Sequence, residues 1–154
     1  MQPRDLLETS NVLLKVARGK PTQANLRRSH STAYYAMFHC LAGDCANLLL
    51  GEAVKTSPAW RQAYRALEHT KAKESCRNRQ FIENFPSAIQ DFANSFLTMQ
   101  EKRHNADYDP FLKLTKSVVQ NDVEIVKRVI DDFRSAKKSD RRAFCAYVLF
   151  KVRK

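Results

Sequence analysis

A chain of 154 residues with three glycines and five prolines has room for one domain but few turn residues, which favours helices over a sandwich of many short strands. No apolar stretch approaches the roughly 18 residues of a membrane span, and the opening residues "MQPRDLLETS" lack the pattern of a signal peptide. We therefore expect an all-α protein that is cytoplasmic and does not enter a membrane. Its net charge of +11 favours a polyanionic partner, namely RNA, DNA or an acidic protein.

The positive charge is concentrated in two segments. Residues 55–79 hold seven Lys and Arg against two acids, and residues 134–154 hold eight against one. The rest of the chain therefore sums to −1. Such clustering is typical of a surface that meets a polyanion, and the alternative interpretation is a solvated basic tail.

Two helices are predicted in the first third of the chain. The second runs without a proline from Gln23 to Leu50 and is ended by Gly51. Its apolar residues lie on most sides, so we expect it to be the central helix. The first helix ends before residues 19–22 (GKPT) and is indicated by residues at helical spacing, which are Leu6, Leu7, Ser10, Leu13, Leu14 and Ala17.

The middle of the chain has a weaker pattern. Pro58 is expected to start a further segment near Trp60. Residues 74–81 (ESCRNRQF) have the composition of a polar, basic connection.

The clearest helical period follows this connection. Apolar residues recur at steps of four and three, and the next step of four after Met99 lands on Arg103, so Arg103 is predicted to project from the core face. After "NADYDP" the period restarts and predicts a helix that ends near Ser135. The two stripes consist of Phe85, Ile89, Phe92, Phe96 and Met99, and of Leu112, Val119, Val123, Val126, Ile130 and Phe133.

These elements predict one antiparallel, up-and-down bundle of four to five helices over residues 1–135. Residues 136–154 form a basic and aromatic C-terminal tail or extra element. The pattern leaves open whether the segment "FCAYVLFKVRK" is a docking strand, an amphipathic helix or a contact for a partner.

Most common catalytic motifs are absent from the sequence. It contains no Walker loop, GxGxxG, HExxH, CxxC pair or GxSxG elbow, which removes the usual nucleotide, zinc and hydrolase interpretations. Cys40 and Cys45 are five residues apart and would point in different directions on a helix, and His30 and His39 lack a supporting ligand. We predict no cofactor and no metal, and expect all four cysteines to be reduced.

Two segments resemble a known family. They are "RRSHSTAYYAMFHC", residues 27–40, and "EKRHNADYDP", residues 101–110. In these residues and in helix order over roughly residues 5–135, the sequence resembles the HEPN superfamily, in particular the branch with AYYAMFH and ADYD signatures. The resemblance implies a four- to five-helix bundle that commonly forms a homodimer.

The resemblance also implies a site. Catalytic members are metal-independent endoribonucleases in which an Arg, followed by four to six residues and a His, lies at the dimer interface. The guanidinium would hold the scissile phosphate while the imidazole moves a proton as the 2′-OH attacks. Arg103 matches the family Arg, whereas Tyr108 stands where the His is expected, and a tyrosine is a poor base at neutral pH.

The candidate catalytic residues are therefore Arg103, His104 and Tyr108, and the candidate phosphate or nucleic-acid contacts are Arg103, Asn105, Arg141 and Arg142. Many relatives are toxins paired with a nucleotidyltransferase-type antitoxin, and others are non-catalytic adaptors. The leading hypothesis is a protein that engages RNA or a nucleotide. The alternative is an interaction protein that uses its bundle and tail to hold a partner.

Structural roles compete with these assignments. Arg103 alternatively stacks on the apolar stripe and pairs with Asp107 or Asp109. His104 is expected to be exposed, and Tyr108 to pack between helices.

Four residues have helix-end or core roles to weigh. Asn105 and Asp107 are expected to cap a helix, with Pro110 in the first turn of the next one. His39 is either a satisfied, buried histidine or the missing imidazole beside Arg103.

Overall fold

The computed structural model describes residues 1–15 and 18–153, and the regular structure in these ranges is helical without any strand. The all-α prediction is therefore confirmed. Ala17, which was assigned to the first helix, lies outside the described residues. The helices are α1 (Pro3–Leu14), α2 (Gln23–Leu50), α3 (Pro58–Arg65), α4 (His69–Arg77), α5 (Arg79–Ile82), α6 (Ser87–Tyr108), α7 (Lys116–Ser135) and α8 (Lys138–Leu149), with a 3₁₀ turn at Glu52–Val54.

Helix α2 is the centre of the fold, as its sequence predicts. It contacts α1, α3, α6, α7 and α8. The side chain of Thr22 caps its first turn by accepting from the Asn25 backbone N–H. Gly51 ends it with a φ of 86°, a left-handed conformation that glycine adopts without steric cost.

Helices α6 and α7 pack through the two predicted stripes. Phe92 and Phe133 are fully buried, and their ring centres lie 4.3 Å apart in a stacked arrangement. Lys102 and Asp122 form an ion pair of 2.7 Å. Because these residues lie at similar distances along the chain from the short link between the helices, α6 and α7 run antiparallel.

The bundle contains more helices than the four to five expected. The interpretation of residues 74–81 as a connection is wrong, because they belong mostly to α4 and α5. Ala72, Ser75 and Cys76 are buried where α4 contacts α6 and α8, and Lys71 Nζ lies over the Tyr147 ring of α8 at 5.6 Å. Tertiary packing thus stabilises helices too short to show a period in the sequence.

The C-terminal segment forms the last helix of the bundle. Phe144, Cys145 and Val148 of α8 are fully buried, and Phe144 makes an edge-to-face contact with Phe133 at 5.9 Å. Of the three alternatives left open for this segment, the structure shows a helix, and it contributes to the protein's own core.

All four cysteines are buried, and none forms a disulfide. Within the described ranges, no helix is both long and apolar enough to cross a membrane. The same residues contain no group of three or more His, Cys, Asp or Glu arranged to hold a metal ion.

Candidate phosphate-binding site

The two segments that carry the family resemblance contact each other. Ser31 Oγ on α2 donates a hydrogen bond of 2.5 Å to Asp107 Oδ1 on α6. Arg103 Nη1 donates to the other oxygen of Asp107 at 3.3 Å. The guanidinium carbon of Arg103 lies 5.4 Å from the centre of the Tyr34 ring and 5.9 Å from that of Tyr35. The predicted core-facing direction of Arg103, and its alternative pairing with Asp107, are both confirmed.

Arg103 is a half-buried cation with unused hydrogen-bonding capacity. Its side chain is 16% exposed. Nε is buried and has no acceptor among the residues that the structure describes. Burial opposes the charge of Arg103, but the hydrogen bond and the charge of Asp107 raise its pKa, so the guanidinium remains protonated. Because Nε is buried, the donors of this protonated guanidinium that suit an oxyanion are its terminal nitrogens.

His69 also belongs to the site, although no sequence pattern indicated it. Its Nδ1 lies 2.6 Å from the Tyr34 hydroxyl, and its ring stacks on Phe38 at 3.9 Å. Gln100, one turn before Arg103 on α6, donates to the His69 carbonyl at 3.2 Å. We call Ser31, Tyr34, Tyr35, His69, Arg103 and Asp107 the Arg103 cluster.

The protonation states of His69 and Tyr34 follow from their surroundings. Burial lowers the pKa of His69, and the charge of Arg103 lowers it further. Burial raises the pKa of Tyr34 well above its ordinary value. Tyr34 and His69 are therefore both neutral, and a hydrogen bond of 2.6 Å joins the Tyr34 hydroxyl to Nδ1 of the imidazole.

His104 and Tyr108 lie outside this cluster. Both side chains are exposed, and their rings lie 5.0 Å apart, one helical turn from each other. The expectation of an exposed His104 is confirmed, but the packing of Tyr108 between helices is wrong, because its side chain is 68% exposed. Tyr108 is the last residue of α6, and its ring lies against His104 on the solvent side of the helix.

The expected capping roles are also wrong for this segment. Asp107 uses its carboxylate to bind Ser31 and Arg103 instead of a helix end. Helix α7 begins later than expected, after the N-cap Thr115, so Pro110 lies in the preceding link. Asn105 is exposed on α6. Its backbone carbonyl accepts a hydrogen bond from the backbone N–H of Asp109, the residue that follows the helix.

Arg27 fixes this end of α6 and was also missed by the sequence analysis. Its guanidinium donates to the carbonyl oxygens of Ala106, Asp109 and Leu112 at 3.0, 2.7 and 2.6 Å. These three bonds hold the link after α6 against α2. They therefore also hold the turn that carries Asp107.

The remaining candidates lie elsewhere. Arg141 donates from Nη1 to Asp44 Oδ1 at 2.7 Å where α8 meets α2, and the neighbouring Arg142 is exposed. His39 is half-buried, and its Nδ1 forms a hydrogen bond with the Tyr64 hydroxyl. Its ring is therefore hydrogen-bonded, as expected for a satisfied histidine. Its ring centre lies 6.3 Å from that of Tyr35, which places it beside the Arg103 cluster.

Comparisons with known proteins returned no relative. No family model matches the chain, and neither a curated protein nor a solved structure matches it.

Proposed function

We propose that the protein engages RNA or a nucleotide, with Arg103 binding a phosphate group, as the resemblance to the HEPN superfamily implies. The observation that carries the proposal is the contact between the two motif segments. Ser31, Tyr34 and Tyr35 come from the first segment, and Arg103 and Asp107 come from the second. Motifs about 70 residues apart in sequence form one polar cluster around a protonated arginine.

The cluster favours a bound phosphate for two reasons. Cation–π contacts with Tyr34 and Tyr35 hold the Arg103 guanidinium before a ligand arrives, which lowers the entropy cost of binding. Asp107 occupies Nη1 at a long 3.3 Å and leaves other donors for a phosphate oxygen. Half-buried aromatic side chains beside the arginine, Tyr35 and His69, offer surfaces on which a base can stack.

Cleavage of RNA would further require a group that moves a proton near the 2′-OH. Within the proposal this role belongs to His69, because His69 and Arg103 both contact Tyr34. His104 and Tyr108 are directed to solvent. Cleavage that persists in EDTA and disappears in both Arg103→Ala and His69→Ala would extend the proposal to a metal-independent ribonuclease. RNA binding without cleavage would define a non-catalytic HEPN-like protein.

The test of binding is fluorescence anisotropy with a labelled single-stranded RNA. Arg103→Ala is compared with Arg128→Ala, which removes an exposed arginine from α7. The proposal expects Arg103→Ala to weaken binding about 10-fold or more, and Arg128→Ala to change it less than about twofold. Equal losses of affinity in the two variants would mean that RNA binds the basic surface non-specifically, without a site at Arg103.

A homodimer is part of the same proposal. Tyr108 and Phe111 are 68% and 87% exposed beside the Arg103 cluster, and the link that carries Phe111 is held in place by Arg27. A rigid, exposed aromatic pair suits contact with a second copy. Sedimentation of the protein and of Phe111→Ser tests this, and a monomeric parent protein would contradict it. The proposal that the protein is a toxin paired with an antitoxin is tested by co-expressing it with a nucleotidyltransferase-type antitoxin and asking whether the two proteins co-purify.

The tail is a weaker candidate for a partner contact. Phe144 is buried in the protein's own core, and Tyr147 stacks on Phe81 with ring centres 4.5 Å apart. Phe150, at 57% exposed, is the one of these tail aromatics that projects into solvent.

A further inference from the structure

A cleft of about 470 Å³ lies between α2, α3 and the junction of α7 with α8. Its lining includes His39 and Asp44 from α2, Trp60 and Tyr64 from α3, and Arg141 from α8. The members of the Arg103 cluster, all within the described part of the chain, are not among the residues that line it. A volume of this size is within the range of small-molecule sites.

One wall of the cleft contains three aromatic rings. Trp60 and Tyr64 stack with centres 5.1 Å apart. Tyr64 and His39 lie edge to edge, with centres 5.8 Å apart and an angle of 18° between their planes. Trp60 and Tyr64 lie side by side because they are one helical turn apart on α3. Trp60 Nε1 donates to Asn47 Oδ1 at 2.9 Å, and His39 bonds the Tyr64 hydroxyl, so hydrogen bonds hold the rings in place. A pre-organised aromatic row is suited to stacking a planar ring.

Another part of the cleft lining is basic. Arg134 at the end of α7, Arg141 on α8 and Lys55 before α3 belong to it, with Lys55 Nζ 5.9 Å from the centre of the Trp60 ring. These cations outnumber the acidic residues Asp44 and Glu52. Arg141 is fixed by two hydrogen bonds, to Asp44 at 2.7 Å and from Nε to the Ala136 carbonyl at 3.1 Å. Arg134 is exposed at the rim. The basic side therefore attracts an anion.

Asp44 supplies a third type of group. Its Oδ1 accepts from Arg141, whereas Oδ2 is buried and has no hydrogen-bond donor among the described residues. An unpaired, buried carboxylate oxygen is costly unless a donor reaches it. Burial also raises the pKa of Asp44, although Arg141 opposes this. A ligand with an amino or hydroxyl group would satisfy Oδ2.

We propose that this cleft binds a nucleoside monophosphate, with its base against Trp60 and Tyr64, its phosphate at Arg134 and Arg141, and an N–H or O–H donor at Asp44. A nucleoside monophosphate combines a planar ring, a phosphate and several hydroxyl or amino donors. The cleft adjoins the Arg103 cluster at His39 but shares none of its residues, and the inference does not depend on RNA binding there.

Trp60 is the single tryptophan of the sequence, so intrinsic fluorescence reports directly on the cleft. The probes are the common ribonucleoside 5′-monophosphates, with adenosine and inorganic phosphate as comparisons. We expect at least one monophosphate to change Trp60 fluorescence saturably, and to bind about 10-fold or more tightly than either comparison compound. No saturable change with any monophosphate, or equal binding of inorganic phosphate, would overturn the inference.

Matched variants locate the binding. Arg134→Ala removes a rim cation, and Arg128→Ala removes an exposed arginine of the same helix that does not line the cleft. We expect Arg134→Ala to weaken monophosphate binding about 10-fold, and Arg128→Ala to leave it unchanged. Arg103→Ala is also expected to have no effect. Equal losses in Arg134→Ala and Arg128→Ala, or a loss in Arg103→Ala as large as that in Arg134→Ala, would overturn the assignment to this cleft.

Discussion

The guanidinium carbon of Arg103 lies 5.4 Å from the centre of the Tyr34 ring, and the hydroxyl of the same tyrosine lies 2.6 Å from Nδ1 of His69. One buried side chain on the central helix thus contacts both a permanent cation and a neutral imidazole. A cation over an aromatic ring contributes about 1–2 kcal/mol when partly desolvated. Tyr34 therefore fixes two polar groups of the candidate site from within the core.

The first prediction concerns the effect of the Arg103 charge on the pKa of His69. Burial lowers the pKa of His69 below its ordinary value of 6.5, and Arg103 lowers it further. Arg103→Gln removes the second cause, so the His69 midpoint should move upward toward 6.5 in an NMR titration of the imidazole protons. His39, whose pKa burial also lowers, serves as the internal control and should keep its midpoint. An unchanged His69 midpoint would contradict the proximity of the two groups.

The second prediction concerns the C-terminal helix. Phe144 is fully buried against α6 and α7, so Phe144→Ala should lower the free energy of unfolding by about 3–5 kcal/mol. Phe150→Ala removes a largely exposed ring and should cost less than about 0.5 kcal/mol. Urea denaturation measures both. A small effect of Phe144→Ala would show that α8 is not part of the core.

The third prediction concerns the loss of folding stability at acidic pH. Asp122 is buried on α7 between His30 and Lys102, at 2.7 Å from each. Burial would raise its pKa, but the hydrogen bonds from His30 and Lys102 and their charges lower it below the ordinary 3.8. The unfolded chain then binds a proton that the folded protein does not, so stability is lost as pH falls through 3.8 toward the folded pKa.

Asp122→Asn should remove part of this acid dependence and should cost about 3 kcal/mol near pH 7, because it leaves Lys102 and His30 without their partner. The exposed Asp131 lies on the same helix, and Asp131→Asn is the control. Thermal unfolding between about pH 5 and pH 2 measures the difference. An acid dependence in Asp122→Asn as steep as in the parent protein would show that other carboxylates cause it.

The fourth prediction concerns the link after α6. Arg27→Gln removes most of three hydrogen bonds to backbone carbonyls and should destabilise the protein by about 2 kcal/mol. The adjacent Arg28 is exposed, so Arg28→Gln should have almost no effect. Hydrogen exchange of the amides in residues 106–115 is expected to quicken in Arg27→Gln alone. Equal exchange in both variants would mean that Arg27 does not hold this link.

The long helices could be predicted because their signal is local. The stripe from Ile89 to Met99 repeats every three or four residues, and the same spacing gave the direction of Arg103. Helices α4 and α5 could not be predicted, because their stability comes from burying a few small residues against α6 and α8.

The composition of the site was only partly predictable. Arg103 was identified from its motif, but His69 enters the site from α4, where no spacing relates it to Arg103. The wrong placement of Tyr108 has the same origin. Whether the last side chain of a helix is covered depends on the path of the following link, which its own neighbours in sequence do not determine.

The most direct test of the central claim is an NMR titration that follows the arginine side-chain Nε–Hε signals while single-stranded RNA is added. The account predicts that the Arg103 signal shifts saturably and more than that of the exposed Arg128, because a phosphate oxygen reaches the guanidinium of Arg103. Shifts confined to exposed arginines such as Arg128 and Arg142, with the Arg103 signal unmoved at saturation, would contradict it.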